Sequence, residues 1–126
     1  MTNKNSNILI VDDEPANILL LSKILESNGY TNVMTTDAPR DTAVLQNEHN
    51  YALVLLDINM PEINGYEVLE QLRELDNFSG TKVVATSGDI SPKDINKALE
   101  AGFNDYITKP MKMKDILKVV EKVLQN

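Results

Sequence analysis

The chain has 126 residues, 42% hydrophobic and 25% charged, the balance of a single soluble globular domain over residues 1–126. It has no cysteine, which excludes disulfides and zinc–thiolate centres and fits a reducing, cytoplasmic compartment. A formal charge of −7 argues against nonspecific binding of nucleic acid, and the longest apolar run, Ala52 to Leu56, is far too short to span a bilayer.

The opening MTNKNSN lacks the apolar run of a signal peptide. Met1 followed by this short polar lead is read as the start of an N-terminal or standalone domain. Ile8 to Val11 is a continuous apolar run, as expected of a strand buried on both faces. Ile18, Leu21 and Leu25 then recur at helical spacing, and Asn28-Gly29 supplies a stop. Val33 to Thr36 is a shorter, more polar strand, and Pro39 suits the start of a short helix reaching about Glu48. Tyr51 to Leu56 is the second strong buried strand. Val68, Leu69, Leu72 and Leu75 form the next helical stripe, and Lys82 to Thr86 is a strand rich in Val and Thr. Ser91-Pro92-Lys93-Asp94 is a helix start with Ser91 as cap and Asp94 reaching back; Ile95, Ala98 and Leu99 are its apolar face, and Gly102 ends it. Asp105 to Thr108 is a short strand, and Met113, Ile116, Leu117, Val120 and Leu124 mark a final amphipathic helix.

Five strands alternate strictly with five helices, which predicts a parallel sheet with right-handed crossovers and helices on both faces. The second and fifth strands are the most polar and belong at the edges. An order of 2-1-3-4-5 satisfies this and gives a flavodoxin-like (βα)5 three-layer sandwich, in which ligands sit at the carboxyl ends of the first and third strands. At those ends stand Asp12-Asp13, Asp57, Ser87 and Lys109-Pro110, gathered at one rim from positions nearly a hundred residues apart. Three crowded carboxylates repel and raise one another's pKa. A hard divalent cation with oxygen ligands relieves that, Mg²⁺ being the natural fit, and the Lys109 ammonium can balance the remainder. A carboxylate so placed can attack phosphorus and form an acyl phosphate, with catalysis coming from positioning and charge neutralisation.

The segments ILIVDDEP, LVLLDINMPEINGYEVL, VVATSGD and DYITKP resemble the receiver domain of bacterial response regulators over essentially the whole chain. The resemblance implies that Asp57 is the phosphorylated residue and that Asp12 and Asp13 hold Mg²⁺ (or Mn²⁺ in its place), directly or through water. It further implies the Asn59 backbone carbonyl as a metal ligand, Ser87 as the switch hydroxyl, Tyr106 as the switch aromatic, Lys109 as the phosphate-binding lysine and a cis Lys109–Pro110 bond. The implied partners are a sensor histidine kinase or histidine phosphotransfer protein upstream and an effector downstream, met by the fourth helix, fifth strand and fifth helix; relatives that dimerise use that same face. Asn64 stands where Asp is frequent, and Asn59 and Asp89 occupy positions that tune phosphoryl lifetime in the family.

Plainer explanations exist for each residue. Asp12 and Asp13 could cap the first helix, Asp57 could be a turn residue, and Ser87 could be a turn former before Gly88. Lys109 could lie along the surface, and Tyr106 could be a half-buried edge aromatic. His49 is expected in a solvated loop with no catalytic part, the methionines in the core or filling gaps, and Lys112, Lys114, Lys118 and Lys122 on the solvent face of the last helix. Two other functions remain in view. One is a Mg²⁺-dependent phosphatase working through an aspartyl phosphate, against which Asn59 stands where a second acid is wanted. The other is an interaction module that has lost phosphorylation, against which the intact set of Asp12, Asp13, Asp57, Ser87 and Lys109 stands.

Overall fold

A computed structural model of the chain describes residues 3–125; Met1, read above as opening a polar lead, lies outside them. Five strands, β1 (Ile8–Val11), β2 (Val33–Thr36), β3 (Leu53–Asp57), β4 (Lys82–Ser87) and β5 (Asp105–Thr108), alternate with α1 (Pro15–Ser27), α2 (Thr42–His49), α3 (Gly65–Arg73), α4 (Pro92–Ala101) and α5 (Met113–Leu124). The sheet runs β2-β1-β3-β4-β5, every pair parallel. This is the flavodoxin-like order expected from the polarity of the edges.

β1 and β3 are buried along their whole length. Their side chains alternate between two cores, as a period of two requires. Leu9, Val11, Val54 and Leu56 pack with Val68, Leu69 and Leu72 of α3 and Ala98 of α4. Ile8, Ile10, Leu53 and Leu55 pack with Leu21, Ile24 and Leu25 of α1 and with Ile116, Val120 and Leu124 of α5. Covering both faces is what lets these strands read as unbroken apolar runs. Among the described residues no helix is long and apolar enough to cross a membrane.

Local chemistry sets the helix ends. Pro15 opens α1 and Pro92 opens α4, where a missing N–H costs nothing. Ser91 caps α4 by accepting from the Asp94 N–H, while its hydroxyl donates to the Asp94 carboxylate, so Asp94 reaches back to the side chain of Ser91. Asn64 and Glu67 form a reciprocal capping box on α3, a role the sequence analysis did not assign to Asn64. Gly102 closes α4 with φ 116, in the left-handed region.

Several boundaries differ from expectation. Pro39 lies in a 3₁₀ turn, Pro39–Asp41, and α2 begins only at Thr42. β3 starts at Leu53 because the Tyr51 N–H is taken by the Gln46 side chain instead of the sheet. Gln46, fully buried, also donates to Thr81, and Thr81 donates to the Tyr51 carbonyl, which ties α2 to the starts of β3 and β4. His49 is the last residue of α2, not a loop residue, and its ring lies 5.8 Å from that of Tyr51. Met60 and Met111 are core residues, but Met34, Met113 and Leu99 are substantially exposed. Lys112, Lys114, Lys118 and Lys122 do face solvent, with Lys122 3.2 Å from Asp105.

Candidate functional site

The register of the three central strands assembles the site. Val11 lies beside Leu56, so the residues that follow, Asp12 and Asp57, emerge side by side from β1 and β3. Asp57, the last residue of β3, is paired with Thr86, and Ser87, the last of β4, with Thr108. Lys109 comes next, and its N–H donates to the Ser87 carbonyl at 2.8 Å. The expected strand ends thus meet at one rim, with Asp57 and Ser87 inside their strands, one residue further than the sequence suggests. Lys109–Pro110 is cis, as the resemblance implies.

Asp12 and Asp57 are buried, 1% and 2% exposed, while Asp13 is open to solvent. One carboxylate oxygen from each of the three lies within 4.8 Å of the others. Lys109 Nζ bridges the buried pair, 3.3 Å from Asp12 Oδ2 and 3.2 Å from Asp57 Oδ1. The Asn59 N–H donates to the same Asp57 Oδ1 at 3.1 Å, leaving Oδ2 the freer oxygen. Burial, and then the neighbouring Asp12 charge, push the Asp57 carboxyl from its ordinary 3.8 up to about 6, against the opposing pull of Lys109 and of the Asn59 N–H. One ammonium is therefore too little to settle three carboxylates. The cluster offers only oxygen donors and an excess of negative charge, which suits a hard divalent cation.

Neither Asp12 nor Asp13 caps α1. The cap position is Glu14, without a side-chain cap, and Asp12 Oδ1 accepts from the Glu14 N–H at 2.8 Å in a tight turn, which leaves Oδ2 for Lys109. That turn holds the Asp12 carboxylate over the end of the sheet. Lys109 is not a surface lysine either, since it spans two buried carboxylates.

Ser87 is fully buried, and its hydroxyl has three partners. It accepts from the Asn59 carboxamide at 3.0 Å and from the Asp89 N–H at 3.1 Å, and donates to the Asp89 carboxylate at 3.4 Å. Tyr106 is half-buried on the edge strand, as the plainer explanation of it expected, and its hydroxyl donates to the Asp89 carbonyl at 2.8 Å. Burial raises its pKa.

Sequence reasoning missed two features. Gly65, the first residue of α3, packs so closely behind the acidic cluster that a Cβ there would lie 2.7 Å from the Asp57 carbonyl oxygen and 2.8 Å from the Ile58 Cα. A glycine directly after a helix cap was the available signal of such an approach. The other is Asp89, whose backbone and side chain join Ser87 to Tyr106; an exposed loop aspartate carries no sequence signal of that kind.

Residues 8–121 match the family model of the response regulator receiver domain. A two-component response regulator of Oryza sativa, ORR11, is 29% identical over 118 residues, which are 94% of this chain and 80% of the rice protein. A CheY-like receiver domain from Methanospirillum hungatei superimposes with a TM-score of 0.81 at 32% identity, covering 94% of each chain. The receiver domain of a Pseudomonas aeruginosa sensor histidine kinase superimposes with a TM-score of 0.85 at 25% identity, covering 95% of this chain and 98% of its own. That protein is described with a magnesium ion coordinated in its active-site cleft.

Proposed function

The chain belongs to the response regulator receiver domain family, and from that premise we propose that it is a phosphoacceptor switch whose Asp57 takes a phosphoryl group from a partner's phosphohistidine. The observation that carries the reading is the buried Asp12–Asp57 pair, with exposed Asp13 within reach and Lys109 spanning both buried carboxylates. Asp57 Oδ2, free of the bonds that hold Oδ1, attacks phosphorus. An O–P bond forms, the N–P bond to histidine breaks, and the imidazole nitrogen keeps the electron pair. The Lys109 ammonium, 3.2 Å from Asp57 Oδ1, would neutralise a transferring oxygen, and the Ser87 hydroxyl, at the adjoining strand end, would turn and donate to another. Asp12, Asp13, Asp57 and the Asn59 carbonyl are the groups that would hold Mg²⁺, or Mn²⁺ in its place, which supplies positive charge opposite the phosphoryl oxygens when bound. The description of the Pseudomonas relative supports this assignment.

Capture of the new charge by Ser87 and Lys109 releases Tyr106 from Asp89 and remodels the face formed by α4, β5 and α5, a local charge biasing a two-state element. Hydrolysis of the acyl phosphate resets it. The donor is a sensor histidine kinase or a histidine phosphotransfer protein, the remodelled face meets the effector or a second copy of the chain, and the setting is the cytoplasm. Residues 1–126 act as one receiver unit, and the chemistry is self-directed, with no turnover of a separate substrate.

The experiment is intact-mass analysis after incubation with acetyl phosphate, with and without Mg²⁺, on wild type and Asp57→Asn. A phosphate adduct on wild type alone, dependent on Mg²⁺, is the expected result. An unmodified wild type, under conditions that label another receiver, returns the chain to an interaction module.

A further inference from the structure

A serine hydroxyl has one proton to donate and two lone pairs to fill. At Ser87 all three are committed: the Asn59 carboxamide and the Asp89 N–H occupy the lone pairs, and the proton points to the Asp89 carboxylate. The hydroxyl is fully buried, and the Tyr106 hydroxyl stands beside it, bonded closely enough to offset part of the rise that burial gives the tyrosine pKa. None of the three bonds is directed at Asp57. A phosphoryl group on Asp57 therefore meets a hydroxyl that is already satisfied, and gains its hydrogen bond only if Ser87 gives up at least one of them. The Asp89 carbonyl accepts from the Tyr106 hydroxyl, so the resting positions of Ser87 and Tyr106 are anchored on one residue.

We infer that Asn59 and Asp89 form a clamp that holds Ser87 in its resting orientation, with the Asn59 side chain as a positioning residue acting through Ser87 on the switch equilibrium. The inference rests on the phosphoacceptor reading of Asp57 and adds to it a determinant of how readily the switch turns. Asn59 contributes in two separable ways. Its N–H steadies the Asp57 carboxylate, while its carboxamide restrains Ser87, and only the second is lost on truncation to alanine. A single hydrogen bond between neutral groups, with Asn59 itself exposed to competing water, biases such an equilibrium on the order of two- to tenfold.

The test is a double-mutant cycle on the binding of beryllium fluoride, a phosphoryl stand-in, in the presence of Mg²⁺, using wild type, Asn59→Ala, Ser87→Ala and the double variant. Binding of Mg²⁺ alone is titrated on the same four proteins, and backbone amide NMR shifts of residues 87 and 106 are followed. The expected result is binding two- to tenfold tighter in Asn59→Ala, an unchanged affinity between Ser87→Ala and the double variant, and Ser87 and Tyr106 signals of unliganded Asn59→Ala displaced toward their bound positions. An Asn59→Ala effect of the same size in both backgrounds, weaker or unchanged binding in Asn59→Ala, or a change explained by altered Mg²⁺ affinity overturns the clamp. Wild type that binds no beryllium fluoride while folded overturns the phosphoacceptor reading itself, a separate outcome.

Discussion

Removing the Asp57 charge should make the metal-free protein more stable at neutral pH, although the residue is central to the proposed function. The carboxyl is 2% exposed and lies beside Asp12, and its pKa stands at about 6 against an ordinary 3.8. The folded state thus holds the proton more tightly than the unfolded chain. Stability therefore declines as pH rises from about 4 through about 6, and the full penalty applies above that range. At about 1.4 kcal/mol for each tenfold change in proton affinity, that displacement is on the order of 3 kcal/mol. That figure already includes the opposing pull of Lys109 across 3.2 Å, so a gain of roughly 1–3 kcal/mol is expected from Asp57→Asn at pH 8, where the amide stands in for the neutral carboxyl. With a urea dependence of about 1–3 kcal/mol per molar, the unfolding midpoint moves up by roughly 1 M. The measurement is urea unfolding in EDTA at pH 8 and at pH 4.5, followed by the pH 8 series with Mg²⁺. The gain should shrink sharply at pH 4.5, where wild-type Asp57 is protonated. Mg²⁺ at about a hundred times its Kd should raise wild type by about 2.7 kcal/mol and the variant much less. Equal or lower stability of Asp57→Asn at pH 8, or a gain undiminished at pH 4.5, would refute the argument from burial and charge.

Lys109→Ala removes the cation bridging Asp12 and Asp57, so Mg²⁺ should bind several-fold tighter by calorimetric titration, while the rate of labelling by acetyl phosphate falls at least tenfold. Gly65→Ala places a Cβ against backbone atoms of Asp57 and Ile58, a contact no side-chain rotation relieves; a loss of about 1–3 kcal/mol is expected in urea unfolding, with weaker Mg²⁺ binding as the end of β3 shifts.

The fold was legible because its signals are periodic and redundant. Apolar runs mark β1 and β3, polar ones mark the edges β2 and β5, and Pro15, Ser91, Pro92 and Gly102 punctuate helices at the places their backbone chemistry favours. The acidic cluster with Lys109 was legible for a related reason, since strand order alone carries those residues to one rim. What sequence could not supply were contacts made by side chains that leave their own elements. Gln46 leaves α2 to satisfy the Tyr51 N–H, and that shortens β3 at its start. Asn59 and Asp89 reach Ser87 from two loops, and Gly65 approaches β3 across a turn. Leu99 and Met113 fit helical stripes yet stand in solvent, because a stripe gives a direction on the helix and not the extent of the surface that covers it.

The strain at the rim and the regularity of the rest are two sides of one arrangement. Desolvated carboxylates are tolerable only where the surrounding backbone cannot relax to let water in. β1 and β3, buried on both faces and paired on both edges, are the most constrained strands of the sheet. Asp12 directly follows β1 and Asp57 closes β3, so the rigidity needed to hold two like charges together is inherited from the core rather than built at the site. The groups proposed to move lie toward the other side, at the end of β4 and on the edge strand β5, where Ser87 and Tyr106 hang on the Asp89 loop. On the proposed function, the part of an arriving charge that Lys109 and a bound cation leave unsatisfied would draw on movement at the adjustable margin, and that is what would convert a covalent change into a change of surface.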